Sequence, residues 1–420
     1  MNYLKFSIFT FVWSFFCCAC INTVNVSRND PLDETLLHAA KEITIHDWTF
    51  DFDKFLTGQY YEEATFHFSD IFSNVEYIAL EDAGENIIGN FDKTIVTEEG
   101  DFIFYDSYSC KIARFSSTGK FLNTFGQRGH AKNEYVQIND FQYDEKNRLV
   151  FISSTGNGGF KVYSIDGEYI KDIKIPCYYQ GFGLINGQYI VVFLNHMANL
   201  NGDEVDYNYK VFDYEGNLVE QFQPFKADRK DYSPIASYMF DNQNGKLYCH
   251  EPYSSLIFTF DGSEIRPLYY LNFGRKSIPH ELLYSKSEEQ VKDWLRENSS
   301  LDCQLFFESE TKYIMRLEEN SGFYVTYIQD KNNPDNYMAK LRGYNDIFGL
   351  ANKNYFIYAK GNKIYYEFSP SNLESLLKLT QTNREWLETT RGKITDADIA
   401  FLEEMSKKQN SIIQVCTLKE

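Results

Sequence analysis

Four glycines, Gly119, Gly167, Gly216 and Gly262, follow one another at steps of 48, 49 and 46 residues. Each stands four residues after an aromatic, namely Phe115, Tyr163, Phe212 and Phe258. The local strings are RFSSTGKFLNTF, VYSIDGEYIKDI, VFDYEGNLVEQF and FTFDGSEIRPLY. A polar segment ending in glycine between two aromatic-rich runs is the chemistry of a hairpin turn, because only glycine takes a positive φ at no steric cost. Such a hairpin repeated every forty-odd residues predicts a β-propeller, with one blade per period.

The surrounding sequence supplies the other strands. Asn74–Leu80 alternates apolar and polar residues, as a half-buried strand does. Strands are expected at Phe102–Tyr105, Leu149–Ile152, Tyr189–Phe193 and Leu247–Cys249, each ahead of a glycine hairpin. Two less regular units are drawn from Gly322–Tyr327 with Tyr337–Leu341, and from Asn354–Tyr358 with Lys363–Tyr366. From Glu85 to Pro370 is roughly 285 residues, about six periods of roughly 47, so six blades are expected. The aromatic share of 17%, from 32 Tyr, 36 Phe and 4 Trp, favours strands over helices.

Two insertions and a tail interrupt the repeat. Asn195–Asn208 is rich in Asn and Asp and reads as a polar loop. Pro279–Asn298 places Leu282, Leu283, Val291, Trp294 and Leu295 at mostly helical spacing. Asn383–Lys408 has a similar face in Trp386, Leu387, Ile399, Phe401 and Leu402, and Ser411–Leu418 ends the chain as a strand. A propeller closes its ring by pairing strands from both ends, which removes exposed edges. Val75–Leu80 and either the Tyr355–Tyr366 hairpin or Ile412–Leu418 are the natural closing partners. The expected organisation is a signal segment over 1–19, a tether and lead-in over 20–65, and an all-β six-bladed propeller over 66–420. That propeller carries a helical insertion (279–298), a helical C-terminal segment (383–408) and a closing strand (411–418).

The N-terminus reads as a targeting segment. Lys5 precedes the apolar run Phe6–Phe16, which is too short to span a bilayer comfortably, and Cys17-Cys18-Ala19-Cys20 follows. Its end resembles a bacterial lipobox with Cys20 as the lipidated residue, which would tether the chain to a membrane. Cys18 is the weaker alternative site, and ordinary signal cleavage the plain one. The remaining cysteines, Cys110, Cys177, Cys249, Cys303 and Cys416, are odd in number, scattered and without a CxxC pair. They are expected to be buried apolar side chains and not a disulfide framework or a zinc site.

Three stretches together resemble the six-bladed β-propeller lipoproteins common in the Bacteroidetes, distant relatives of NHL-repeat propellers. Val75–Glu81 is similar to that family's opening strand. Phe121–Tyr135 is similar to its blade end and Gly-Arg-Gly-Pro-Gly-Glu-Tyr loop, keeping Arg128, Gly129, Glu134 and Tyr135 but reading His130-Ala131-Lys132-Asn133 at the core. Asn410–Lys419 is similar to its closing strand. The resemblance implies an envelope location, lipid-anchored at the outer membrane of a Gram-negative bacterium, and leaves the function open.

No catalytic signature stands out. The seven histidines include no pair at i, i+3 or i, i+4, and Asn199–Glu204 lacks the downstream bidentate Glu of a calcium loop, so no metal and no cofactor are expected. Gly-x-Ser-x-Gly, His-Glu-x-x-His and phosphate-cradling glycine loops are absent. A net charge of −19 disfavours nucleic acid as a partner. Candidate ligand contacts are Arg128, His130, Glu134 and Tyr135 in one loop between blades, and Tyr178, Tyr179 and Phe182 in the matching place one period later. These aromatics either stack on a sugar or peptide or fill the wedge between blades. The expected function is that of a noncatalytic binding or scaffold module for a glycan, a peptide or a partner protein of the envelope. The alternative is an NHL-like lyase or hydrolase with its site at the channel mouth.

Overall fold

A computed structural model describes residues 39–419 apart from several stretches, the longest being 47–64, 196–204 and 227–239. Six antiparallel sheets, each built on four strands, form the blades of a propeller. Blade one runs outward from its inner strand Lys93–Val96 through Phe102–Asp106 and Lys111–Phe115 to Phe121–Thr124. Blades two to five start from the inner strands Ile138–Asp144, Gly181–Ile185, Phe240–Gln243 and Leu301–Glu308. Blade six combines Tyr358–Lys360, Lys363–Phe368, Ile412–Leu418 and, as its outermost strand, Phe72–Ala79.

Both expected closing partners are therefore used in one sheet. Ile412–Leu418 pairs with Lys363–Phe368 on one side and with Phe72–Ala79 on the other. Residues flanking that strand fasten it. The buried Asn410 donates from Nδ2 to the Glu81 carbonyl at 2.7 Å and accepts from Ile88 N at 2.8 Å. At the other end Lys419 N donates to the Ile71 carbonyl at 2.8 Å.

The repeat has a local cause that the structure makes explicit. Gly119, Gly167 and Gly216 have φ of 84°, 87° and 87° and close the hairpin between the third and fourth strands of their blades. In blades one to four the strand register slips by one residue at the repeated spacing, between Arg114/Phe115, Val162/Tyr163, Val211/Phe212 and Ile257/Phe258. The extra residue of each β-bulge lies on the fourth strand, at Leu122, Ile170, Val219 and Leu268. Each periodic aromatic thus stands opposite a bulge that sharpens the twist of the outer strand, while the aromatics themselves are buried in the blade core. Gly262 lies outside the described residues. A second constraint comes from packing. A Cβ on Gly119, Gly167 or Gly216 would lie 2.2, 2.5 or 2.3 Å from the carbonyl oxygen of Ala79, Thr124 or Lys174. Those oxygens belong to the end of the outer strand of the preceding blade, so each turn glycine is also a blade-to-blade contact.

Three expectations are corrected. The lead-in is more than a tether: Lys41–Thr44 adds to the outer edge of blade four in parallel, burying Ile43 against Leu271 and Tyr269. Its alternating Ile43 and Ile45 were the strand signal. The polar loop expected over 195–208 is shorter, because Val205–Asp213 is already the third strand of blade three. The helical tail is longer and is split. A short helix α1 (Phe68–Ile71) precedes blade six, and helix α2 (Glu288–Glu297) occupies the expected insertion. Helices α3 (Pro370–Arg391) and α4 (Asp396–Met405) then form an insert between two strands of blade six. Thr395 and Asp398 make a capping box that starts α4. Leu373, Leu402 and Met405 bury against Phe368 and Ile412.

Cys110, Cys177, Cys249, Cys303 and Cys416 are all buried and unbridged. Burial pushes the Cys177 thiol up to about 12. An unreactive packing role follows.

Candidate functional site

The inner strands of all six blades converge on the central channel, and at their C-terminal ends the channel widens into a cavity of about 680 Å³. It is lined by strand-end residues and by the short turns that follow them, including Val96, Asp144, Leu184, Gln243, Glu308 and Lys360. The volume falls within the range typical of small-molecule sites, roughly 300–1,000 Å³.

Polar side chains hold this mouth together by bridging neighbouring blades. Gln142 Nε2 donates to the carbonyls of Phe182 and Phe240 at 2.9 and 3.2 Å. Asn242 Nδ2 reaches the Leu184 carbonyl at 3.0 Å, and Gln243 Nε2 reaches that of Phe306 at 2.5 Å. Glu308 N returns to Gln243 Oε1 at 3.1 Å. Lys360 Nζ donates to the Val96 carbonyl at 2.9 Å, joining the last blade to the first. Inner strands have a free edge toward the channel, and these bonds satisfy carbonyls that no further strand can reach.

Charge at the mouth is uneven. Glu98, Asp144, Glu145, Asp241 and Glu308 line the cavity against Lys146 and Lys360. Several of these carboxylates are spent. Asp144 accepts from Asn147 Nδ2 at 2.7 Å and from Tyr214 Oη at 2.8 Å. Glu308 accepts from Tyr248, from Tyr269 at 2.6 Å and from Lys331 at 2.9 Å, and these bonds hold its carboxyl below the ordinary range against its burial. Glu145 takes the Glu98 amide at 3.1 Å, yet burial raises its carboxyl.

Asp241 is different. Its Oδ2 accepts from Gln243 Nε2 at 2.9 Å, and burial raises its carboxyl to about 6 despite that bond and the charges of Lys93 and Lys360. Both lysines are bonded elsewhere, Lys93 to Asp140 at 2.6 Å and Lys360 to the Val96 carbonyl. Burial also lowers the Lys360 ammonium, with Glu145, Glu98 and Asp241 pulling the other way. Among the described residues, no group of three or more His, Cys, Asp and Glu is arranged to hold a metal ion.

The sequence model of a domain of unknown function, DUF4934, matches residues 54–417. The chain belongs to this family. Among solved structures, one described as an exported protein from Bacteroides fragilis NCTC 9343 superposes with a TM-score of 0.64 at 15% identity, covering 85% of this chain and 99% of that one. A member of the DUF4221 family from Bacteroides vulgatus ATCC 8482 superposes with a TM-score of 0.46 at 10% identity, covering 83% and 97%. The likeness of this DUF4934 chain to the first is one of fold, and agrees with the expected kinship to six-bladed propellers of the Bacteroidetes. No curated protein sequence matches it.

The residues singled out in the sequence lie at the other end of the inner strands. The loops holding them run from the outer strand of one blade to the N-terminal end of the next inner strand, Ile138–Asp144 or Gly181–Ile185. Arg128 and His130 are exposed there. Glu134 accepts from Ala131 N at 2.8 Å and from Gln127 Nε2 at 2.5 Å, bonds that hold its carboxyl below the usual range and brace the loop. Tyr135 and Phe182 are buried to 1% and 0% exposure, so neither presents a ring to a ligand. Tyr179 donates to the Gly159 carbonyl at 3.0 Å and packs on Phe160, with ring centroids 5.2 Å apart. Of the three expected stacking aromatics, Tyr179 and Phe182 fill the wedge between blades and Tyr178 stands 58% exposed. Sequence reading missed the cavity residues because Asp241-Asn242-Gln243 looks like any polar strand end before a turn.

The expected signal segment and Cys20 lie outside the described residues. No helix among the described residues is long and apolar enough to cross a membrane.

Proposed function

We propose that this chain is an exported lipoprotein of the bacterial envelope, tethered through Cys20, whose propeller binds a small ligand in the cavity at the C-terminal ends of its inner strands. The cavity carries the reading. It draws walls from all six blades, it is large enough for a small molecule, and its scaffold is braced at the blade junctions. A site assembled this way is rigid before the ligand arrives, which lowers the ordering cost of binding. The apolar N-terminal run ahead of Cys20 supports export and tethering, as does the fold shared with a Bacteroides protein described as exported.

The experiment is a thermal-shift screen of the purified protein against amines, amino acids, short peptides and sugars. It is run beside Lys146→Trp, which places a bulky ring at the exposed rim. Ligands that stabilise the parent chain and not the variant support the cavity. Equal stabilisation of both places binding elsewhere and refutes the reading.

Asp241 supports a second reading, an enzyme of lyase or hydrolase type with its reacting group at the channel mouth. A carboxyl raised to about 6 in a cavity suits proton transfer near neutrality. Chemical change of a captured ligand, lost in Asp241→Asn, would favour the enzyme; capture without change favours binding.

A further inference from the structure

Among the described residues, one carboxylate of the cavity has no bonded cation. Asp241 is half-buried, receives one side-chain hydrogen bond, from the neutral amide of Gln243, and feels two lysines that are both bonded elsewhere. A half-buried charge left in that state is costly, and a cation that reached it would be held strongly. Glu98 stands exposed at the rim, and its carboxylate makes no hydrogen bond among the described residues. The two acids belong to blades four and one, and the charges of both act on Lys360 of blade six.

Part of the remaining wall is apolar. Ile95, Val96, Leu184 and Ala359 line the same space, and Leu184 and Ala359 are almost wholly buried.

Resting on the reading of this cavity as a ligand site, we propose that its ligand is a small molecule bearing a protonated primary amine on an aliphatic stem. The ammonium group pairs with Asp241, Glu98 draws it in from the rim, and Ile95, Leu184 and Ala359 pack the methylenes. A primary ammonium is a compact charge with three donors, whereas a guanidinium is a planar fork suited to bidentate pairing, for which the Gln243-bonded carboxylate of Asp241 has only one unbonded oxygen among the described side chains. An anionic ligand is disfavoured by the excess of carboxylates over lysines around the mouth.

The test is titration calorimetry of the full chain near neutral pH with three probes: cadaverine, the uncharged pentanediol of the same length, and glucosamine. Cadaverine is expected to bind one to one and pentanediol not to bind at millimolar concentration. Asp241→Asn should weaken cadaverine by about tenfold or more, and Glu98→Gln by several-fold. Glu98 is exposed, so its variant tests the charge without endangering the fold. Glucosamine binding more tightly than cadaverine, and lost in the same variants, would support the amine and replace the aliphatic stem by a sugar. Equal binding of pentanediol, unchanged affinity in both variants, or no cadaverine or glucosamine binding would overturn the amine assignment. In that last case a different ligand from the screen, lost in Lys146→Trp, would leave the cavity itself standing.

Discussion

Replacing Gly119 by alanine separates the two constraints on the turn glycines. The first is backbone conformation: φ is 84°, where a side chain costs about 1 kcal/mol. The second is the neighbouring blade. An added Cβ would lie 2.2 Å from the Ala79 carbonyl oxygen, and Ala79 ends the outer strand of the closing blade. Relief to an ordinary contact of about 3.4 Å needs a shift of roughly 1 Å, an overpacking cost of about 1–3 kcal/mol. The shift also strains the bond from Glu81 N to the Gly119 carbonyl at 2.8 Å, worth about 1 kcal/mol. The expected loss is therefore about 3–5 kcal/mol. Gly361 is the control: its φ is 58°, but nothing lies within 4 Å of an added Cβ, so alanine there should lose only about 1 kcal/mol. With an unfolding entropy of about 2.1 cal/mol/K per residue over roughly 350 residues, these losses become about 4–7 °C and about 1–2 °C in Tm. Scanning calorimetry of the two variants against the parent measures both. Equal shifts would refute the claim that the turn glycine is a blade-to-blade contact.

The raised carboxyl of Asp241 sets a pH-dependent stability with a definite sign. The folded chain holds that proton more tightly than the unfolded chain, so ionisation removes stability as pH rises through the interval from about 4 to about 6. Asp241→Asn should accordingly be more stable than the parent near pH 7, by on the order of 1–3 kcal/mol, with the difference vanishing below about pH 4. Thermal unfolding at both pH values checks this, and an equal difference at both would point to packing and not charge. For the tether, Cys20→Ala should abolish incorporation of labelled palmitate, and persistent labelling would move the anchor to another residue.

Much of the architecture was legible in the sequence because its causes are local. A positive φ requires glycine at the turn, a buried aromatic four residues earlier anchors the hairpin in the blade core, and alternation marks the half-buried strands. Those rules act within one hairpin, so Gly119, Gly167 and Gly216 could be read without knowing what surrounds them. Closure was half legible: both candidate partners of Val75–Leu80 were visible, and only the assembled sheet placed Ile412–Leu418 between the other two strands.

The function-bearing end of the molecule was decided by tertiary structure. Which face of a strand meets a neighbouring blade depends on the twist and order of the whole ring, so Phe182 and Tyr179 could not be told apart from ligand-facing aromatics by spacing alone. The cavity is assembled from residues a full period or more apart, such as Glu98, Asp241 and Lys360, each unremarkable in its own segment. Asp241 became distinctive only when the ring buried it and gave its two neighbouring lysines other partners. Local chemistry therefore specified the blades, while long-range packing set the charge and solvation of the channel they enclose.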